Sequence, residues 1–151
     1  ADFVKARLDR LGEVVFWKIA MKPGRPLAYG HIGGAHFFGL PGNPVSVMVT
    51  FYQFVRDALL TLSGRDPLPS VPSFRVPCTT PLKKAPGRTE FQRGVLTQDA
   101  AGNWSVAVTG EQGSGILRSM CEANCFIILP TDQGNVGAGT LVEVQVMEGV
   151  I

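Results

Sequence analysis

Charge is scarce in this chain and nearly balanced. Asp, Glu, Lys and Arg make up 17% of its 151 residues, and the formal net charge is +2. That is too weak a field to argue for a polyanion, and no basic run is interleaved with aromatics, so no nucleic-acid partner is expected. Histidine occurs twice and cysteine three times. Cys121 and Cys125 lack Cys-x-x-Cys spacing and neither histidine lies near them in sequence, which argues against a structural zinc site. An odd set of thiols fits buried, reduced cysteines of a cytoplasmic protein. No eighteen-residue apolar span is evident, so neither a transmembrane helix nor a membrane partner is expected. There is no initiator methionine, no charged-then-apolar leader, no internal repeat and no low-complexity stretch.

What is present suffices for a core. Apolar residues make up 45% of the chain and aromatics 9%, ordinary values for a globular protein of one domain or two small ones. The segment from Ser63 to Pro72 holds three prolines and a glycine. It stops a helix, reads as an extended linker, and divides the chain at 1–69 and 70–151. Before it the pattern is α/β. Phe3, Val4, Leu8 and Leu11 follow helical spacing, with Asp2 as N-cap and Gly12 as the stop. A strand is expected over 14–21, then a hairpin of 27–32 with 35–40 around Gly33-Gly34. A long apolar helix follows from Pro44 to Leu62 and should be largely buried. This is the trailing part of a doubly wound domain. After the linker the period becomes two, with short strands near 74–78, 90–96, 104–108, 125–129 and 141–147. They suggest a small β-barrel or sandwich. Residues 99–103 read as a hairpin turn and 116–120 as one helical turn.

Two segments carry candidate chemistry. Gly39-Leu40-Pro41-Gly42-Asn43-Pro44-Val45-Ser46 leads into the long helix. Asn43 is a good N-cap, Pro44 suits the first helical position, and Gly42 permits close backbone approach. This is either ordinary capping or a helix N-terminus ready for an anion. Just upstream, Lys18 and Lys22 are four apart in the run Val14–Lys22, so one strand would put them on one face. Lys22 reads equally as a solvent-facing strand end. Lys18 either snorkels or meets a buried anion; its flanks Trp17 and Ile19 favour the second, and since no acidic residue lies nearby in sequence an anionic ligand is the economical partner. Lys84, by contrast, sits in a polar Lys-Lys turn. Phe91, Arg93 and Val95 share a strand face, so Arg93 points with apolar residues. Its head could simply reach solvent. Ser114 in Gln112-Gly113-Ser114-Gly115 could be just a turn. His31 and His36 lie beside aromatics as core or rim residues and receive no ligand role.

The run Phe16–Pro26 followed by Gly39–Ser46 resembles the C-terminal half of the molybdopterin molybdenumtransferase (MoeA) family, related to the E domain of gephyrin. The resemblance continues through Leu82–Arg88, Glu90–Gly94, Thr109–Ser114 and Asn124–Leu129, so it covers essentially the whole chain. It implies the end of a molybdopterin-binding, MogA-like three-layer domain followed by a C-terminal β-barrel. The family's Gly-Gly-x-Ser-x-Gly phosphate loop is expected immediately before Asp2, so the chain reads as a fragment.

The chemistry implied is insertion of molybdate into adenylylated molybdopterin with release of AMP, in molybdenum cofactor biosynthesis. The substrates are anions, which lysines and a helix N-terminus suit. By resemblance, Lys18, Lys22 and Asp2 would be catalytic, and Asp2 would help hold Mg²⁺. Pro41, Gly42, Asn43, Pro44, Ser46, Arg93 and Ser114 would bind substrate, with Arg93 and Ser114 closing the site from the second subunit of a homodimer. An adenylyltransferase-type enzyme would act upstream. The activity is expected of the full-length protein and not of this chain alone. The other reading is a folded, non-catalytic module for dimerisation, scaffolding or peptide binding.

Overall fold

A computed structural model describes residues 8 and 10–147. The helix expected from Asp2 lies mostly outside them, although residues 8, 10 and 11 are helical. Gly12 does not serve as a loop after that helix but opens strand β1 (Gly12–Lys18). The chain then turns at Ile19–Ala20, where the Ile19 amide donates to the Arg25 carbonyl at 2.8 Å. A two-residue strand β2 (Met21–Lys22) follows, then the hairpin of β3 (Pro26–Ile32) and β4 (Ala35–Gly39). The strand expected over 14–21 is therefore two strands. β1 pairs with β3 in an antiparallel sheet of order β1-β3-β4, whereas β2 runs parallel to a strand of the second half.

Helix α1 (Pro44–Leu62) is α-helical over Pro44–Thr50 and Arg56–Leu62, with a wider π-helical turn over Phe51–Val55. Just before that turn, the Thr50 hydroxyl donates to the carbonyls of Ser46 (2.6 Å) and Val47 (3.0 Å). These are acceptors that regular helical amides would otherwise use. Only part of α1 is buried. Val45, Val49 and Val55 are in the core, while Met48, Phe54, Leu59 and Leu62 are exposed. This corrects the expectation of a largely buried helix. By length and composition α1 is also apolar enough to cross a membrane, which the reading of no eighteen-residue apolar span did not register. A helix packed on a core passes the same test.

The second half holds β5 (Ser73–Pro77), β6 (Thr89–Gln98), β7 (Trp104–Val108), a short helix α2 (Arg118–Glu122), β8 (Cys125–Leu129) and β9 (Leu141–Val146). Five strands are ordered β2-β6-β8-β9-β5, and β7 pairs with the remaining part of β6. Beyond β5, Cys78 bridges Val106 of β7, and the Thr79 amide donates to the Val106 carbonyl at 2.8 Å. The ladder thus returns on itself as a small barrel. Inward positions alternate as a closed sheet requires: Val76, Leu96, Val106, Ile127, Leu129, Val142 and Val144 form one buried cluster with Cys78 and Cys125. The turn at 99–103 is fixed by Asp99, whose carboxylate accepts from the amides of Ala101 and Asn103 and from the Asn103 side chain. These hydrogen bonds hold its pKa below the usual range.

A second cluster joins the halves. Met21, Val45, Val49, Met120 and Phe126 are all buried. Phe126 points out of the barrel, is 1% exposed, and meets Tyr52 of α1 edge-on with ring centroids 5.7 Å apart. Phe126→Ala should cost about 3–5 kcal/mol of stability, as for other buried aromatics, measured by urea denaturation. A cost under about 1 kcal/mol would show that the seam is not packed.

Cys78 and Cys125 are buried, and burial pushes the Cys125 thiol up to about 11. Cys121 is exposed, which corrects the expectation that the thiols are buried. In native protein one thiol, Cys121, should react rapidly with an aromatic disulfide reagent, the other two only on unfolding. Cys121→Ser should abolish the fast phase.

Candidate functional site

The turn between β2 and β3 builds one wall of a cleft of about 320 Å³. Lys22, Arg25 and Arg88 line it together with Ser46, Ser114 and the Pro23-Gly24 turn. Gly24 is needed there. Its φ is +98°, and a Cβ would stand 2.7 Å from the Thr50 methyl of α1, so the turn lies directly against the helix. A second, larger cleft of about 610 Å³ opens at the barrel mouth, and Lys22, Gln112 and Gly113 belong to both.

Lys22 comes to the barrel because β2 pairs with β6, with Lys22 opposite Glu90. Its ammonium donates to Glu90 Oε1 at 3.3 Å; the lysine side chain is 47% exposed and the glutamate 5%. The other carboxylate oxygen of Glu90 accepts from Gln92 Nε2 at 3.2 Å. Lys22 therefore holds a buried anion with one side and presents charge to the clefts with the other.

Asn43 does occupy the cap position of α1, but its side chain makes no capping hydrogen bond. The amide instead donates to Ser114 Oγ at 2.9 Å, across 71 residues of sequence. Pro41, Gly42 and Pro44 flank that contact in sequence, and Gly42 and Pro44 are exposed. Ser114 thus reaches the Lys22 cleft within a single chain. The expectation that Arg93 and Ser114 close the site from a second subunit concerns a partner copy, and the contact described here lies within one chain.

Arg93 faces Phe126 across the β6–β8 ladder, on the outer side of the barrel. The 112–120 segment covers it, leaving it 1% exposed. Nε donates to Ser119 Oγ (3.0 Å) and Nη2 to the Gly113 carbonyl (3.2 Å), while its backbone amide donates to Gln112 Oε1 (2.7 Å). No carboxylate pairs with it among the described residues. Burial pushes its pKa down to about 10, which leaves it a cation at neutral pH. Its head does not reach solvent. It is a buried positive charge that braces the loop carrying Ser114.

Lys18 is not where the sequence suggested. It is exposed at the end of β1, opposite Pro26 in register, and does not line the cleft. Lys84 reverses the contrast: it is 5% exposed, and its ammonium donates to the Ala85 carbonyl at 3.0 Å. Asp2 lies outside the described residues. Arg25 and Arg88 were not singled out as site residues. The available signal was their place in the quoted Lys22–Pro26 and Leu82–Arg88 runs, beside turn residues that bring cations to one spot. Among the described residues no three His, Cys, Asp or Glu side chains gather to hold a metal ion.

Lys84→Ala should destabilise the fold by about 1–3 kcal/mol through lost buried contacts, whereas Lys18→Ala should stay within about 0.5 kcal/mol. Denaturant melts of both variants check this; equal costs would contradict the burial assignments.

Comparison with known proteins places this geometry in a family. Residues 75–147 match the model described as "MoeA C-terminal region (domain IV)", and residues 1–61 match "Probable molybdopterin binding domain". The chain is 46% identical over 145 residues to the molybdopterin molybdenumtransferase of Haemophilus influenzae, covering 96% of this chain and 36% of that protein. It is 32% identical over 164 residues to gephyrin of Dictyostelium discoideum, covering 94% of this chain and 23% of that one. Among solved structures, the molybdopterin biosynthesis MoeA protein of Pyrococcus horikoshii superposes with a TM-score of 0.79 at 29% identity, over 99% of this chain and 36% of that chain. The chain spans about a third of the length of the molybdenumtransferases it matches. The two matched regions, the identity across nearly the whole chain and the shared α/β-plus-barrel fold agree: the chain belongs to the MoeA family.

Proposed function

We propose that this chain supplies the oxyanion-holding wall of a site that inserts molybdate into adenylylated molybdopterin, with AMP leaving. One observation carries the reading. Lys22, Arg25 and Arg88 converge with Ser46 and Ser114 on one cleft, with the unpaired Arg93 cation buried behind its Gly113 wall. Only Lys22 among the three lining cations has an acidic partner among the described residues. A positive cleft that Glu90 compensates only in part, with hydroxyl donors, suits a tetrahedral oxyanion or a phosphate.

The residues divide by what each can do. Lys22, Arg25 and Arg88 attract and orient molybdate; Ser46 and Ser114 hydroxyls donate to its oxygens. Asn43, through its bond to Ser114, fixes the hydroxyl's position, and Pro41, Gly42 and Pro44 shape the approach to α1. Arg93 keeps the Gln112–Ser114 loop in place and adds charge from behind. Lys18, exposed beside Pro26 but outside the cleft lining, would reach a phosphate of the larger substrate. The two dithiolene sulfurs would then bond to molybdenum, their two thiol protons leaving with one molybdate oxygen as water, while the site keeps the anion in place.

Mg²⁺ needs hard carboxylate oxygens. Glu90 is engaged by Lys22 and Gln92, and the described residues offer no carboxylate group that fits the ion, so no step is derived through it. Asp2 remains the one residue of this chain proposed as a ligand. The exposed apolar residues Met48, Phe54, Leu59 and Leu62 of α1 favour a homodimer or a larger assembly, since such a face is normally covered.

In the full-length protein, Arg25→Ala and Arg88→Ala should each weaken molybdate binding about tenfold, or about 1.4 kcal/mol, by calorimetric titration, and slow AMP release from adenylylated pterin. Molybdate at a hundred times Kd should raise the unfolding free energy by about 2.7 kcal/mol, seen as a higher unfolding midpoint. Unchanged molybdate affinity in both variants would overturn the reading. The 151-residue chain alone should release no AMP.

A further inference from the structure

Both histidines of the chain stand on the β3–β4 hairpin, and neither lines the cleft. Gly33 has φ +60° and Gly34 does not have a positive φ, the pattern of a type II′ two-residue turn. Ile32 and Ala35 close that turn, so they form the hydrogen-bonded pair. The next pair, His31 with His36, is then non-hydrogen-bonded, the kind whose side chains stand closest. Their ring centroids are 4.4 Å apart and both are exposed. Tyr29, two residues before His31 and on the same face, has its hydroxyl 2.9 Å from Nδ1 of His36. Glu13 of β1 is the register partner of His31, so Glu13, His31 and His36 form one row across three strands.

We propose that His31 and His36 form a two-imidazole chelate for a borderline divalent transition-metal ion, with copper(II) bound most tightly. Neutral imidazole suits this class of ion, and affinity for a given nitrogen site peaks at copper. Metal–nitrogen bonds of about 2.0–2.1 Å put two shared ligands about 3 Å apart. Exposed rings at this spacing reach that by turning about χ2, with no backbone movement. With Nε2 of His36 on the ion, its Nδ1–H would donate to the Tyr29 hydroxyl 2.9 Å away and so hold the ring. Glu13 adds negative charge to the row. No three such ligands gather among the described residues, so water fills the remaining positions. An ion there would clamp β3 to β4, whose end leads through Pro41–Asn43 into α1.

The test is a copper(II) titration of the full-length protein, followed by calorimetry and electron paramagnetic resonance. A Cys121→Ser background removes the exposed thiol as a competitor. The expected result is one copper site with two-nitrogen hyperfine coupling that His31→Gln and His36→Gln each remove, weakening binding at least tenfold. Tyr29→Phe should keep the two-nitrogen spectrum and weaken binding about tenfold or more. Both histidines are exposed, so the metal-free variants should melt with the parent, which separates lost binding from lost folding. A His31→Gln/His36→Gln double variant with unchanged affinity and spectrum would overturn the proposal, as would a single-nitrogen spectrum in the parent.

Discussion

The site depends on a two-residue strand. β2 contributes only Met21 and Lys22, yet its parallel pairing with Thr89 and Glu90 takes the chain out of the first sheet and fixes it to the barrel. Met21 then enters the buried seam with Val45, Val49, Met120 and Phe126, while Lys22 is left at the cleft. Backbone pairing sets the position, and apolar burial holds it. The helix start, the Pro23–Pro26 turn and the 112–115 loop come together because that seam is closed.

The electrostatics follow from the same packing. The outer face of β6 is covered by α1 and the 112–120 segment, so Arg93 has no route to water. Its hydrogen bonds go to a serine hydroxyl and a carbonyl, neither of which neutralises it. A buried guanidinium solvated by dipoles alone is costly, and an anion in the adjacent cleft would lower that cost. Lys22 differs because Glu90 compensates it in part. The cleft therefore has a graded positive character, strongest where the chain supplies no carboxylate.

Much of the architecture was legible in local pattern. The strands at 104–108 and 125–129, the Gly33-Gly34 hairpin and the Asp99 turn follow directly from alternation and turn chemistry. So did the shared face of Phe91 and Arg93. What escaped were outcomes decided by distant partners. Nothing in Val14–Lys22 announces that the chain breaks at Ile19, because the cause is a ladder with residues almost seventy positions away. Lys18 looked buried from its apolar neighbours, but β1 is an outer strand of its sheet among the described residues and the side chain is exposed. Lys84 looked solvated in its Lys-Lys turn, but Asn135 accepts its backbone amide and the chain folds over it. Asn43 was identified as a cap by residue type, which fixes where it sits but not whom its side chain meets.

Closure of the barrel through Cys78, Thr79 and Val106 has a consequence for self-association. A ladder that returns on itself through this bridge offers fewer spare amides and carbonyls to another chain's strand. Among the described residues the small sheet β1-β3-β4 is open, and its two outer strands each carry one side with no strand partner. If copies of this polypeptide add strand to strand under stress, that growth starts on the hairpin sheet, and the barrel is carried along as folded cargo.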